Sequence, residues 1–319
     1  MKIEPLELTS LSADNSIFQS HWWATVKQKT NWIPYAFSYT EDQSEGTFLV
    51  LVKKTPFNYF IAYTPFFTVP NKEFDLKLLA SLIKEHLPKK TLFCRFDLNW
   101  NSFYKKSEYA GYSPQPLTTL IIDLREGYEA VVKRYRKRVV RHLTKAKTQN
   151  IKIEEVEASN PQFSQWYGIY KNEMQRRKIP TRSFSYLEHL LKSKESGVKG
   201  SLFIATKDGE VIGGIIVASN KNEAVYLFGS SLKQWSAAYI LQDYAIQYYC
   251  KNGVTFYNLF GISGDDKKSL ELKSLDLFKS GFGGKLYKRE ATLDFPYHKV
   301  LYHLFRFAEK LRVLVRRVI

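Results

Sequence analysis

Hydrophobic residues follow the spacings of strands and helices in two successive stretches of the chain. In each stretch, short apolar runs surround one segment of helical spacing, and a further apolar run closes the series. The first stretch predicts strands at residues 47–52, 60–63 and 92–98 and a helix at 76–87. The second predicts strands at 202–206, 211–218, 225–228 and 255–260 and a helix at 237–249. The shared order favours a structural duplication, although a single mixed domain could also produce it.

Turn residues divide the predicted elements, but no low-complexity linker divides the chain. Lys207-Asp208-Gly209-Glu210 predicts a tight hairpin, and Asn252-Gly253 ends a helix. We therefore expect a compact body of two lobes with a cleft between them, which is the usual place for a site. The predicted domains are residues 1–115, residues 116–296 and a C-terminal helix at 297–319.

The C-terminal helix is basic and amphipathic in sequence. Apolar residues recur near one face, and Lys and Arg occupy much of the rest. Two interpretations stay open: the helix packs on the body with a solvated basic face, or it contacts a membrane surface.

Composition indicates a folded protein with a polyanionic partner. The 319 residues are 44% hydrophobic and 15% aromatic, which excludes extensive disorder, and the net charge is +17. The two cysteines, Cys94 and Cys250, lie in apolar segments and predict buried thiols in a reducing compartment. The N-terminus lacks an apolar signal core, and prolines interrupt the uncharged segment 55–71, so we expect a cytoplasmic protein.

The most basic part of the chain follows a predicted strand at residues 120–124. Between Lys133 and Lys152 there are nine Lys or Arg residues and no Asp or Glu. Such a run repels itself, so it indicates a polyanion-binding helix or a solvated surface.

This segment resembles the FemABX family of peptidoglycan-bridge aminoacyltransferases, and so do the segments at residues 17–27, 174–182 and 278–284. The basic segment carries the family's pattern at Gln115, Pro116, Thr119, Asp123, Leu124, Arg138, Lys145, Ala146, Asn150 and Ile151. The strongest local match is Phe278-Lys279-Ser280-Gly281-Phe282-Gly283-Gly284. The resemblance implies an α/β (α+β) fold of two tandem acetyltransferase-like (GNAT) domains. The interval between residues 190 and 202 is too short for the coiled-coil arm that some members insert.

The resemblance also implies roles for particular residues. Lys279 would be catalytic, and Asp97 either a base or a structural carboxylate. The phosphates of the precursor would contact Lys27, Arg177, Arg182 and Tyr186, with the register of the arginines at 176–182 uncertain. The acceptor end of tRNA would contact Phe278, Gly281, Phe282 and Gly283, or these would form only a glycine turn. The tRNA backbone would contact Lys133, Arg134, Arg136, Lys137, Arg138, Arg141 and Lys145.

The implied reaction moves an amino acid (glycine, or else alanine or serine) from aminoacyl-tRNA to the side-chain amine of a peptidoglycan precursor. The precursor would be lipid II or UDP-MurNAc-pentapeptide, and no cofactor or metal is expected, since aminoacyl-tRNA is a co-substrate.

Two alternative functions stay open. One is an acyl-CoA-dependent acyltransferase, which the segment 228–235 disfavours because it lacks the glycine spacing of a pyrophosphate loop. The other is a non-enzymatic protein that binds RNA or a membrane surface.

Overall fold

The computed structural model describes residues 1–12, 14, 16–100, 102, 104, 111–113, 115–177, 179–195, 197–263 and 273–318, with side chains described as far as residue 311 except at 273 and 274. The strands are β1 (Lys2–Leu6), β2 (Trp32–Glu41), β3 (Ser44–Lys54), β4 (Phe60–Phe67), β5 (Thr91–Leu98), β6 (Thr118–Asp123), β7 (Ile151–Val156), β8 (Lys194–Glu195), β9 (Val198–Lys207), β10 (Glu210–Ser219), β11 (Glu223–Ser231), β12 (Phe256–Ile262), β13 (Lys285–Lys288) and β14 (Leu293–Pro296). The α-helices are α1 (His21–Gln28), α2 (Leu76–Lys84), α3 (Tyr128–Lys133), α4 (Lys137–Lys147), α5 (Pro161–Arg176), α6 (Phe184–Lys192), α7 (Ala237–Lys251), α8 (Lys273–Lys279) and α9 (Lys299–Val318).

The chain divides into two compact units. The first unit comprises Met1–Ser12, Phe18–Pro114 and Arg289–Ile319, and the second comprises Ala13–Ile17 and Gln115–Lys288. Each unit is built on one twisted sheet with its own apolar core.

The sheet of the first unit has the order β1-β2-β3-β4-β5-β14. Strands β2, β3 and β4 form an antiparallel meander, and α2 then crosses over to place β5 parallel to β4. The helix begins at its cap Asp75, whose carboxylate accepts the backbone N–H groups of Lys77 and Leu78. Its apolar side chains recur at helical spacing and are buried on the sheet: Leu76, Leu79, Ala80 and Ile83.

The sheet of the second unit has the order β13-β6-β12-β11-β10-β9-β7. Strands β9, β10 and β11 form an antiparallel meander, and α7 crosses over to place β12 parallel to β11. The same sequence of meander, crossover helix and parallel strand therefore occurs in both units. This repetition confirms the structural duplication that the order of the apolar runs favours.

The end of the chain belongs to the first unit, whereas the sequence assigned residues up to 296 to the second domain. Strand β14 pairs antiparallel with β5, and Leu293 and Phe295 join the apolar core of the first sheet. Helix α9 follows and packs Tyr302 against Leu92 and Phe93. The edge of β5 needs a hydrogen-bonding partner, and β14 provides it.

The described residues contain neither a coiled-coil arm nor a membrane-spanning helix. Between α6 and β9 they form just the two-residue strand β8, so this part of the chain carries no coiled-coil arm. Within the same described residues, no helix is long and apolar enough to cross a membrane.

Candidate active site

The pairing between β11 and β12 ends after three residue pairs, at Val225 and Asn258. Beyond this point β12 becomes irregular: its register against β6 shifts between Asn258 and Gly261. Phe260 takes a φ of 56°, which is uncommon for an aromatic residue. Backbone groups buried near this break need partners other than the strand ladder.

Lys279 supplies such a partner to two carbonyl groups. It is the last residue of α8 and is only 6% exposed. Its Nζ donates to the carbonyl oxygen of Gly261 at 2.7 Å and to that of Phe260 at 3.3 Å. The side chain therefore inserts an ammonium group beside the break in β12.

Burial controls the protonation of Lys279. Loss of solvent lowers the pKa of this amine from 10.5 to about 7, and the carboxylate of Asp276 acts in the opposite direction. Asp276 itself accepts hydrogen bonds from the backbone N–H of Ser263, at 2.9 Å, and from its hydroxyl. A lysine with such a pKa changes charge near neutral pH, which is typical of functional sites.

Asn258 and Thr119, which the sequence analysis did not assign to the site, stabilise the same break. The hydroxyl of Thr119 donates to Oδ1 of Asn258 at 2.6 Å, and the N–H of Phe260 donates to the same oxygen at 2.9 Å. Asn258 is 1% exposed, and its Nδ2 has no hydrogen-bond partner among the described residues. An unsatisfied buried donor costs about 1–3 kcal/mol, so its presence here suggests a role beyond packing.

Pro116 explains why a glycine occupies position 261. A Cβ on Gly261 would lie 2.2 Å from Cγ of Pro116. Two members of the QPLTT segment, Pro116 and Thr119, thus contact the strand whose carbonyls hold Lys279. The segment at 115–119, which carries part of the family resemblance in the sequence, is therefore part of the support of Lys279 in the structure.

Tyr226 on β11 was also missed by the sequence analysis. The Nζ of Lys279 lies 5.5 Å from the centre of its ring, within range of a cation–π contact. Burial raises the pKa of the Tyr226 hydroxyl to about 12, while the charge of Arg177 lowers it. A tyrosine in an apolar strand has no distinctive pattern in sequence, so only its position identifies it.

The glycine turn after Lys279 packs against the start of α4. A Cβ on Gly283, whose φ is 75°, would lie 2.6 Å from the carbonyl oxygen of Arg134, and one on Gly281 would lie 2.6 Å from the side chain of Val139. The carbonyl of Gly281 accepts the N–H of Arg136 at 2.9 Å. Close packing therefore accounts for these two glycines without a ligand.

The two phenylalanines of this motif differ in exposure. Phe282 is fully buried, in edge-to-face contact with Tyr135, so its ring has no free face for a nucleotide base. Phe278 is half-buried against Tyr239 and Phe282. Of the two rings predicted to meet the acceptor end of tRNA, Phe278 is the more accessible.

Helix α4 and the turn before it present a basic surface. We define this basic surface by its seven exposed residues: Lys133, Arg134, Arg136, Lys137, Arg138, Arg141 and Lys145. No carboxylate in the described part of the chain forms an ion pair with any of them. Because the glycine turn packs on α4, this surface is continuous with the segment that carries Lys279.

The predicted phosphate-binding arginines have different partners. Arg176 and Arg177 both pair with Glu173, at 2.7 and 2.6 Å, and they lower the pKa of that carboxyl to about 2. Arg182 lies 5.5 Å from the ring centre of Tyr186, and within the described ranges no carboxylate pairs with it. Arg182 is therefore the arginine in this group with a charge still available for an anion.

Lys27 and Asp97 belong to the first unit. The Nζ of Lys27 lies 4.5 Å from the ring centre of Trp23, on the partly exposed side of α1. Asp97 is fully buried, pairs with Arg289 at 3.0 Å and accepts hydrogen bonds from the hydroxyls of Tyr63 (2.6 Å) and Thr292. This environment fits the structural alternative for Asp97 better than a base.

The glycine-containing segment at residues 261–266 begins at the end of β12 and is described only as far as Ser263; residues 264–266 lie outside the described residues. A cavity of about 480 Å³ in the second unit is lined by β7, β8 and β9, including Glu155 and Lys199, and by none of the predicted site residues.

Comparison with known proteins identifies relatives. Residues 193–310, which include Lys279 and the glycine turn, match the FemAB family. The chain is 28% identical over 96 residues to aminoacyltransferase FemA of Staphylococcus epidermidis, a match covering 29% of this chain and 23% of FemA. It is 30% identical over 110 residues to aminoacyltransferase FemB of the same species, covering 33% of this chain and 26% of FemB. The match thus spans about a quarter of these relatives' length.

Solved structures share the fold over nearly the whole chain. FemX superposes with a TM-score of 0.77 at 17% identity, covering 96% of this chain and all of FemX. A tandem GNAT protein from the clavulanic acid biosynthesis pathway superposes with a TM-score of 0.52 at 11% identity, covering 92% of this chain and 97% of that one. These likenesses establish the tandem acetyltransferase-like fold. The FemAB match at residues 193–310 and the partial similarity to FemA and FemB show that part of this chain is similar to the FemAB family.

Proposed function

We propose that this chain is an aminoacyltransferase that moves an amino acid from an aminoacyl-tRNA to the side-chain amine of a peptidoglycan precursor. The observation that carries the proposal is Lys279, a buried amine held by two carbonyls beside the break in β12. The basic surface packs directly on the turn that follows it. One unit therefore combines a charged group for chemistry with a surface for a polyanion.

The reaction is the aminolysis of an ester. The nitrogen of the acceptor amine attacks the carbonyl carbon of the aminoacyl ester, and an amide bond forms as the bond to the 3′-oxygen of tRNA breaks. The proton lost by the nitrogen is matched by the one gained by that oxygen. Because the ester is already activated, the protein needs to supply position and positive charge for the oxyanion, and Lys279 is suited to the second task.

Arg182 and Lys27 are the proposed contacts of the precursor's phosphates, with Arg177 partly neutralised by Glu173. Phe278 is the proposed contact of the tRNA acceptor end, and the basic surface that of the tRNA backbone. We propose glycine as the amino acid to test first, with alanine and serine as alternatives. The acceptor is proposed to be lipid-linked, which places the enzyme in the cytoplasm in peripheral contact with the membrane.

Transfer assays test this proposal. The purified chain is mixed with tRNA charged separately with labelled glycine, alanine or serine, and with precursor in lipid-linked or nucleotide-linked form. Label passing to the precursor from one charged tRNA is the expected result. Lys279→Ala should reduce turnover by about two to three powers of ten while tRNA binding is kept.

Each alternative function has its own outcome in the same assay. Transfer from an acyl-CoA in place of charged tRNA would indicate a CoA-dependent acyltransferase. No transfer from any donor, with tRNA binding intact and Lys279→Ala without effect, would indicate a binding protein.

A further inference from the structure

Helix α9 has a second apolar face that nothing in the described structure covers. Its inner face packs Leu301, Tyr302 and Phe305 in a cluster with residues of β5. The opposite face consists of four apolar residues that are 74%, 61%, 63% and 45% exposed: Val300, Leu304, Phe307 and Leu311. At 3.6 residues per turn these four fall within a stripe of about 60°. Four large apolar residues in one exposed stripe are unusual on a protein surface unless they meet a partner.

Buried ion pairs hold this helix on the first unit. Arg95 donates to Asp294 at 2.7 and 2.8 Å and to Glu309 at 2.8 and 3.2 Å. The hydroxyl of Tyr302 donates to Asp294 at 3.0 Å. Arg95 and Asp294 are almost completely buried, so these bonds fix how α9 is rotated. The exposed stripe is therefore a defined surface of the folded unit and not the inner face of a detached helix.

The turn between β3 and β4 adds a fifth exposed apolar residue. Phe57 is 90% exposed and has a φ of 61°, so the chain keeps a bulky ring in a backbone conformation that suits glycine or asparagine. Two residues later, Tyr59 and Ile61 pack in the same cluster as Leu301 and Phe305 of α9. The hairpin tip and the helix therefore belong to one corner of the first unit.

Exposed lysines lie near these apolar residues. Lys54, Lys299 and Lys310 are close to them in sequence, and Lys90 contacts the hairpin: its carbonyl accepts the N–H of Phe60, and its Nζ lies 5.8 Å from the ring centre of Tyr59. The one acidic residue of α9 is Glu309, and Arg95 and Arg306 already pair with it. An apolar stripe flanked by lysines on a chain of net charge +17 complements a lipid bilayer that carries anionic headgroups.

We propose that Phe57, Val300, Leu304, Phe307 and Leu311 form an anchoring surface that inserts into the interface of an anionic membrane. This inference rests on the proposed function in one respect: the anchoring surface would bring the enzyme to a lipid-linked acceptor. A second copy of the chain or another protein is the competing occupant, but the lysine rim favours an anionic surface over a second, equally basic copy.

Co-sedimentation with vesicles tests the anchoring surface directly. The full chain is mixed with vesicles of phosphatidylcholine alone or with 30% phosphatidylglycerol, a composition chosen to supply about one anionic headgroup in three. We expect binding to the anionic vesicles that weakens with salt. Leu304→Gln with Phe307→Gln should lower the bound fraction at least about tenfold, and Phe57→Asn should lower it less because one side chain is removed.

The substitutions are chosen so that a loss of vesicle binding cannot be explained by a loss of folding. Glutamine is a good helix former at exposed positions, and asparagine tolerates the backbone of residue 57. Leu78→Ser, at an exposed leucine of α2, is the matched control and should bind vesicles as the parent does. Circular dichroism verifies that each variant is folded.

The outcomes separate the surface from the proposed activity. Vesicle binding equal in the parent and in the Leu304→Gln, Phe307→Gln variant would overturn the anchoring surface, as would self-association that this variant abolishes. Transfer to the nucleotide-linked precursor needs no membrane and tests the catalytic proposal separately. A variant that keeps this soluble transfer but loses transfer to lipid II in anionic vesicles is the result that we expect.

Discussion

At the scale of single residues, Lys279 combines two opposing requirements. Stabilising an oxyanion requires its ammonium form, whereas its burial lowers its pKa to about 7. Two carbonyls accept hydrogen bonds from the ammonium group and offset part of the cost of burial. The charge of this residue therefore changes in the pH range in which the enzyme would work.

The pH dependence of transfer should reveal this titration. The attacking amine has a pKa of about 10.4, so its neutral fraction rises about tenfold per pH unit. Below pH 7 Lys279 is protonated and kcat/KM should rise with that slope, whereas above pH 7 loss of the Lys279 proton should flatten the curve. Lys279→Arg, which keeps its charge, should extend the rise to higher pH. A parent profile without a bend near pH 7 would exclude a catalytic ammonium at this position.

The stability of the fold should depend on the same proton. Because the folded-state pKa of Lys279 lies below that of an unfolded lysine, the unfolded chain binds more protons between about pH 7 and 10.5. The full free-energy cost of burying the charged form of Lys279 therefore applies below pH 7. This cost decreases as the pH rises from about 7 to 10.5, where it disappears. Lys279→Met should raise the free energy of unfolding by up to about 5 kcal/mol at pH 6 and by up to about 2 kcal/mol at pH 9. Urea unfolding at the two pH values measures the difference, and an equal gain at both would contradict the shift.

Thr119 and Asn258 provide a test of how the break in β12 is held. Thr119→Val removes the hydroxyl that donates to Asn258, while Thr119→Ser keeps it. We expect the valine variant to lose about 1–3 kcal/mol of stability and to shift the bend of the pH profile, because the carbonyls that hold Lys279 relax. The serine variant should resemble the parent. Identical profiles for the two variants would mean that Thr119 does not position Lys279.

At the scale of elements, helix α4 has one face for packing and a larger one for charge. Only Val139 and Ala146 are buried, and the basic surface occupies the solvent side. The glycine turn that follows Lys279 packs on this helix through Gly281 and Gly283. An ordinary packing contact thus places the basic surface next to the segment that carries Lys279.

Charge reversal on α4 should weaken RNA binding without changing the chemistry. Lys137→Glu with Arg141→Glu should reduce the affinity for charged tRNA and lower the salt dependence by about one unit of slope for each phosphate that the variant no longer neutralises. Lys72→Glu with Lys77→Glu, at exposed positions of the first unit, carries the same change in net charge and is the control. Filter binding at several salt concentrations measures both. Equal decreases in the two double variants would point to net charge and not to the basic surface.

At the scale of the whole molecule, the chain returns to its first unit after completing its second. Strand β14 pairs with β5, and Arg289 pairs with Asp97, so the stability of the first unit depends on the last part of the chain. Both charges of this pair are fully buried, and either one would be costly without the other.

The pair of Asp97 and Arg289 should therefore act on stability and not on the chemical step. Arg289→Met leaves a buried carboxylate without its cation and should cost about 3–5 kcal/mol of unfolding free energy. Asp97→Asn should also lower stability but keep turnover per folded molecule, measured by active-site titration and thermal unfolding. A loss of about a hundredfold in turnover with full stability would instead make Asp97 a base.

The sequence by itself determined the repeated order of elements, the resemblance to the FemABX family and the positions of charge. Periodic apolar residues predict elements such as α2 and α7. The nine cationic residues between Lys133 and Lys152, with no acidic residue among them, can be counted without knowing the fold. These features are local, so they survive without knowledge of long-range contacts. Elements with weaker periodicity, such as β2, β7 and α5, were not predicted.

Only the tertiary structure decided which charges are free and which side chains share a site. Glu173 neutralises Arg176 and Arg177 but not Arg182, and Asp97 meets a cation 192 residues away. Asn258 and Tyr226 lie near Lys279 because the parallel pairing of β11 with β12 ends after three residue pairs. No local sequence pattern predicts where this pairing ends. The same holds for Phe57 and the outer face of α9, because their exposure depends on which face of the helix packs on β5. Charge pairing and burial are sums over distant neighbours, and the chain order alone does not contain those distances.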